Sequence, residues 1–268
     1  ELGYSHRVSR YAPGVYLNNR SSRQTSRCLT VRFGGRTTPV KSIHTKARIT
    51  LWALYLLAAS AGALAISDIL IILSIHSNPN AEGSMTRFEE AVVAFMDWPL
   101  LVYIVAFPVF GIAFLSWFYT AHKNLREVGI ETKYRSGWAI GSFFIPILNL
   151  FRPYQVMKEL WQGSEYLANP AGELGWQERN TGRPVGRWWT LAIVSSLAET
   201  FLIIGAAEEE TTAAILGDAY KTLFGDLLDL ATAIVTIMLV SRITSFQDAY
   251  RNRQDLDESE LGRVIDPV

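Results

Sequence analysis

Residues 137–151 read GWAIGSFFIPILNLF. The stretch is apolar enough to enter a bilayer, yet a helix needs about 20 residues to cross the roughly 30 Å hydrocarbon layer, so it is too short to span. Pro146 breaks it and Asn149 places an amide inside it, while Lys133 and Arg135 precede it and Arg152 and Lys158 follow it. Apolar sequence bracketed by cations on both sides is expected to leave a charged face and return to it, as a re-entrant or interfacial element. That expectation decides how the other apolar runs are counted.

Working outward, four runs are long enough to span: about 49–73, 98–121, 188–207 and 222–241. The first carries Trp52 and Tyr55 at one end and the small set Ala58, Ala59, Gly62 and Ala63 in its middle, where small residues let helices approach closely. The second begins Trp98-Pro99, with Pro tolerated in a first turn. It holds Pro108 near its middle, where the lost hydrogen bond is expected to kink it, and it closes on Trp117 and Tyr119. Two flanking stretches have helical apolar faces. Thr86 to Glu89 has the form of a capping box, followed by Phe88, Ala91, Val92, Phe95 and Met96 on one side; residues 154–167 repeat the pattern with Val156, Met157, Leu160, Trp161 and Leu167. Such faces settle at the headgroup boundary or dock on the bundle. Residues 168–187, rich in Gly, Pro and charge, read as a loop.

Short loops rich in Lys and Arg stay on the cytoplasmic side. Residues 74–97 hold one Lys/Arg and 208–221 hold one, whereas 1–48 hold ten, 122–136 four, 152–187 five and 242–268 four. The expected fold is therefore an all-α integral membrane protein: four transmembrane helices plus a short Pro-broken re-entrant or interfacial segment at 137–151, both termini cytoplasmic, in the plasma membrane. A basic, disordered cytoplasmic tail (1–48) would precede the transmembrane domain (49–241), and a polar cytoplasmic tail (242–268) would follow it. The alternative, five spans, puts the five-cation loop outside.

Lys+Arg and Asp+Glu balance at 25 each, so net charge gives no bulk attraction to nucleic acid, and none is expected as a partner. The tail to residue 48, with eleven Ser/Thr and no acid after Glu1, is Arg-rich, Ser-rich and acid-poor, the composition of organelle transit peptides as well as of disordered basic tails. Whether it belongs to the mature protein is open at this level, since the chain opens with Glu1 as a fragment or processed form would. The single cysteine, Cys28, excludes an intrachain disulfide and a thiolate metal cluster; it is an inert thiol or a palmitoylation site.

Read as one unit, residues 117–161 combine an aromatic span end, then His122, Lys123, Asn124 and Leu125, then Gly137-Trp138, Pro146 to Asn149, Arg152-Pro153-Tyr154, and finally Glu159 and Trp161. This combination resembles bacterial multi-pass membrane proteins grouped as domain of unknown function 4328. The resemblance implies membrane residence and a shared design from about 49 to 241; the family brings no activity, so no catalytic residue is carried over.

Four carboxyl side chains fall inside expected spans: Asp68, Glu199, Asp226 and Asp229, with no basic residue in any span to neutralise them. Ionisable residues in the bilayer face a bundle interior or a watery cavity and are functional candidates by default. At 1.5 Å per residue Glu199 lies roughly 16 Å from the inner end of its span and Asp229 roughly 10 Å from the outer end of its own, nearly the same depth. Ser195, Ser196, Thr222, Thr232 and Thr236 share their faces. Glu199, Asp226 and Asp229 are thus a candidate proton or cation site opening outward; the competing reading is that protonated Glu199 and its hydroxyl neighbours only hold helices together.

A second candidate is the re-entrant motif of Trp138, Pro146, Asn149 and Pro153, in which Asn149 caps freed backbone or meets a ligand. A third is the cluster Lys133, Arg135, Arg152 and Lys158, with Lys123 and Arg126 beside it, as contacts for anionic lipid, against the reading that these are ordinary orientation signals. His6, His44, His76 and His122 show no metal-ligand spacing, and there is no GxSxG, phosphate loop or GxGxxG. No cofactor, metal site or catalytic residue is expected. The expected role is a non-enzymatic membrane-embedded module that interacts with lipid and assembles with itself or another membrane protein; the alternative is a small transporter or proton-coupled channel using the carboxyls.

Overall fold

The computed structural model describes residues 41–77, 86–170, 175–177, 182–204 and 211–265. The basic tail as far as residue 40, Cys28 and most of the loop around Glu173 lie outside the described residues. Within them the protein is all-helical: α1 (His44–Ser77), α2 (Arg87–Glu127), α3 (Ser136–Gly141), a single 3-10 turn (Ser142–Phe144), α4 (Pro146–Asn149), α5 (Arg152–Ala168), α6 (Gly182–Ile204) and α7 (Thr212–Ile265). Three of these, α1, α2 and the stretch Thr212–Asp257 of α7, are long and apolar enough to cross a membrane.

Local chemistry sets the helix ends. The capping box opens α2 as expected: Thr86 Oγ1 accepts from the Glu89 amide at 3.2 Å and Glu89 Oε2 accepts from the Thr86 amide at 2.8 Å. The same helix closes in a Schellman motif, with Gly129 at φ 88°, its amide on the Arg126 carbonyl and the Ile130 amide on the Leu125 carbonyl. Between those ends α2 is one helix through Pro99 and Pro108. The apolar face expected over 86–96 therefore belongs to the first turns of α2, and of its residues only Val92 is buried. For residues 154–167, docking is the outcome: Val156, Met157, Leu160 and Leu167 of α5 are all buried.

Two boundaries and one buried face differ from the hydropathy reading, because sequence outside the apolar runs also packs. Helix α1 starts at His44, ahead of the apolar run, since Ile43 and Ala47 are buried against the bundle. Helix α7 continues to Ile265, through most of the stretch expected as a polar tail. The packed face of α1 runs through Ala53, Leu57, Ala61, Ala65, Asp68 and Ile72, the i, i+4 row next to the one through Ala58, Ala59, Gly62 and Ala63.

Two clusters define the two ends of the bundle. At one, here the basic end, Ile43 just ahead of α1, Ala47 of α1, Phe114 to Leu125 of α2, Val156 to Leu167 of α5, Val185 and Trp188 of α6, and Leu239 to Ile243 of α7 form a continuous core. At the other, the acidic end, Ile71 and Ile72 meet Val92 and Ala219. Helices α2 and α7 therefore run the same way and α1 runs against both. Helix α6 starts in the core of the basic end and runs antiparallel to α7, with Ser195 opposite Thr232 at 3.1 Å. The outer faces between the ends are apolar, with Ile112 74% and Phe201 72% exposed, as contact with lipid rather than water requires.

Candidate functional site

At the acidic end four helices bring polar side chains together. Glu199 on α6 and Asp229 on α7 are close enough for each carboxyl to act on the other. Tyr103 on α2 donates its hydroxyl to Asp229 Oδ2 at 2.9 Å. Asp226, one turn away, interacts with Asp229 and with Asp68 on α1. Asp68 is 2% exposed; its carboxyl faces the Thr222 hydroxyl, and its Oδ2 has no hydrogen-bond partner. The charges acting on Glu199 and Asp226 are all carboxyls.

The three candidates named from sequence are thus neighbours, as equal depth required, and Asp68 joins them. Two bare carboxylates in contact repel by several kcal/mol even at an effective dielectric near 20, and a proton shared between two such groups removes that repulsion. Asp226 and Asp229 are half-buried and Glu199 is exposed, which puts the pair on the flank of the bundle at the α6–α7 seam. Of the hydroxyl stripe, Ser195 and Thr232 join α6 to α7 directly. Ser196, Thr222 and Thr236 donate to carbonyls one turn back on their own helix. Tyr103 was missed because a tyrosine within an apolar run reads as bulk.

At the basic end the segment 137–151 is folded into α3, the 3-10 turn and α4. It leaves beside the end of α2, where His122 Nδ1 lies 3.0 Å from Ser136 Oγ, and returns beside Tyr134, whose hydroxyl donates to Gln155. Pro146 is the first residue of α4, so it starts a helix there. Pro153 is buried near the start of α5, and Trp138 is 60% exposed. The freed Leu150 carbonyl is capped by the Trp189 indole at 3.0 Å, the task that the sequence reading gave to Asn149. Phe144, Ile147 and Phe151 point outward from this segment, Phe144 and Ile147 being more than 70% exposed.

The four expected lipid contacts separate. Lys133 and Arg152 lie over the Tyr134 ring, Arg152 at 4.3 Å from its centroid. Lys133 also acts on Glu159, whose carboxyl burial pushes above its usual range against that charge and the Lys133 amide. Lys158 is half-buried, and Arg135 lines an open cavity with Lys123 and Arg126.

Beneath them is a buried network that sequence reading left without a role. Asn124 Nδ2 donates to the Lys41 carbonyl and to Gln247 Oε1, both at 2.9 Å. Gln247 Nε2 donates to the Ala121 carbonyl and to Ser164 Oγ, and the Trp117 indole donates to Thr244. Arg253 clamps the Leu167 and Ala168 carbonyls at the end of α5. The motif His122 to Leu125 is therefore the pin that joins α1, α2, α5 and α7. Among the described residues, no group of three or more His, Cys, Asp or Glu is placed to hold a metal ion. Residues 82–245 match the sequence profile of Domain of unknown function (DUF4328). No curated protein and no solved structure matches the chain.

Proposed function

The chain belongs to the DUF4328 family, and we propose that it is a non-enzymatic four-span module of the plasma membrane that takes up and releases a proton at the Glu199–Asp229 pair. The observation that carries this reading is the pair itself, with Tyr103 donating to Asp229 at 2.9 Å and no cation acting on Glu199 or Asp226. A phenol donor fixes one oxygen of Asp229 and leaves the other side of the carboxyl for the shared proton. The open flank of α6, with Leu197 and Phe201 exposed beside Glu199, is where a second copy or another membrane protein would seat.

The fourth span is α6. Its 23 residues make a helix of about 34 Å, it begins in the core of the basic end, and it must deliver the chain to the start of α7 at the acidic end. Segment 137–151 begins and ends at the basic end, so it enters one leaflet with Phe144, Ile147 and Phe151 and returns. The loop charges support an orientation with both termini in the cytoplasm. In a Cys28→Ser background, Thr211→Cys should react with an impermeant thiol reagent from outside intact cells and Glu173→Cys should not. The reverse pattern overturns the topology.

Infrared difference spectroscopy on protein in vesicles, stepped in pH, tests the function. A protonated-carboxyl band that titrates in the parent protein should vanish in Glu199→Gln, while the melting temperature is nearly unchanged because glutamine can still donate to Asp229. A band untouched by both Glu199→Gln and Asp229→Asn, with stability falling instead, leaves the carboxyls as helix-joining groups only.

A further inference from the structure

Helices α2 and α3 meet at the basic end over an open cavity of about 320 Å³ lined by Tyr119, Lys123, Arg126, Arg135 and Ser136, together with Glu127. Tyr119, Lys123 and Arg126 follow i, i+4, i+7 and so share a face of α2; Arg135 arrives from the residue that precedes α3. Three cations stand against one carboxylate. Lys123 lies 3.6 Å from Glu127, and neither Arg126 nor Arg135 has an ion-pair partner among the described residues.

The negative end of the α2 dipole accounts for cations in its last turns. It does not account for Arg135, which belongs to another element, or for the concavity the three share. The walls are held in advance, because His122 is fully buried and its contact with Ser136 fixes the α2–α3 junction. The other cations nearby are engaged elsewhere, Lys133 and Arg152 on the Tyr134 ring. Around the cavity the surface turns apolar at once, with Trp138 and Ile112 exposed.

We propose that this cavity binds the phosphate of an anionic phospholipid, with the forked guanidinium groups of Arg126 and Arg135 and the Lys123 ammonium on its oxygens and the acyl chains along α2 beside Trp138. Arginine suits a phosphate because its planar donors meet two oxygens at once, and a ligand with a charged head and an apolar body matches the step from cavity to apolar surface. The site lies about 30 Å along α2 from Tyr103 and is independent of the carboxyl reading.

The test uses the full chain in detergent, mixed with phosphatidylglycerol and phosphatidylcholine, with retained lipid counted by native mass spectrometry. Phosphatidylglycerol should be retained in preference, and Arg126→Gln with Arg135→Gln should lower that retention roughly thirtyfold, as expected for loss of two charges at a membrane surface. Lys123→Gln alone should lower it less, and Arg152→Gln should leave it unchanged. Equal retention of the two lipids, or an equal loss in Arg152→Gln, overturns the site. Displacement of phosphatidylglycerol by millimolar inorganic phosphate alone assigns the cavity to a soluble phosphate and overturns the lipid. A double variant with an altered melting temperature is replaced by Lys123→Gln, whose unchanged lipid ratio counts against the proposal.

Discussion

At the basic end, Asn124 and Gln247 are buried at 1% and 2% exposure, and the amide groups of both are engaged. At the acidic end, Asp68 is as deeply buried, but one oxygen has no partner and the charged neighbours of Asp226 are carboxyls. The helices shared by the two ends, α1, α2 and α7, thus carry a neutral network with its bonds made and, some thirty residues along α1, an unneutralised one. A network with its bonds made holds helices in one arrangement, whereas unneutralised carboxyls have a different bonding need in each protonation state.

The contrast is broken most severely by Asn124→Asp. It removes both donors and turns a carboxylate toward the Lys41 carbonyl and Gln247 Oε1, so a loss of more than about 3 kcal/mol is expected in denaturant unfolding in detergent. Next comes Gly163→Ala, whose added methyl would meet Leu125 Cδ1 at 2.8 Å in a fully buried contact, lowering stability by about 1–3 kcal/mol in the same assay. Removing the hydroxyl in Tyr103→Phe should cost about 1 kcal/mol and change the carboxyl band, because Asp229 loses its fixed donor.

At the basic end Glu159 is an exception that sharpens the comparison, since its Oε2 is buried without a partner. Burial raises its carboxyl, so its contribution to stability is present at pH below its unfolded value and is lost as the pH rises through its folded value. Glu159→Gln should therefore raise the neutral-pH melting temperature and flatten its fall with pH. The smallest effect belongs to the exposed pair Lys221 and Asp218 at 2.9 Å, where Lys221→Ala should change stability by under about 0.5 kcal/mol.

The three longest helices were legible from run length, the start of α2 from Thr86 and Glu89, and the similar depth of Glu199 and Asp229 from rise per residue. Depth is a one-dimensional quantity that sequence carries directly. Rotation about a helix axis is not carried when every face is apolar, which is why the buried row of α1 lies beside the row of smallest residues. Pairings such as Asn124 with Gln247 or Tyr103 with Asp229, more than 120 residues apart, depend on which helices become neighbours, and hydropathy is silent on that. The early start of α1 and the long α7 were hidden for another reason: both extend the packing beyond the layer that hydropathy detects.

Helix α7 has 54 residues and so measures about 80 Å, more than twice the thickness of the hydrocarbon layer. Its acidic half carries Asp226 and Asp229, and past Gln247 and the Arg253 clamp it continues for another dozen residues. Tilting a rod that long is resisted where Gln247 and Arg253 tie it to α2 and α5.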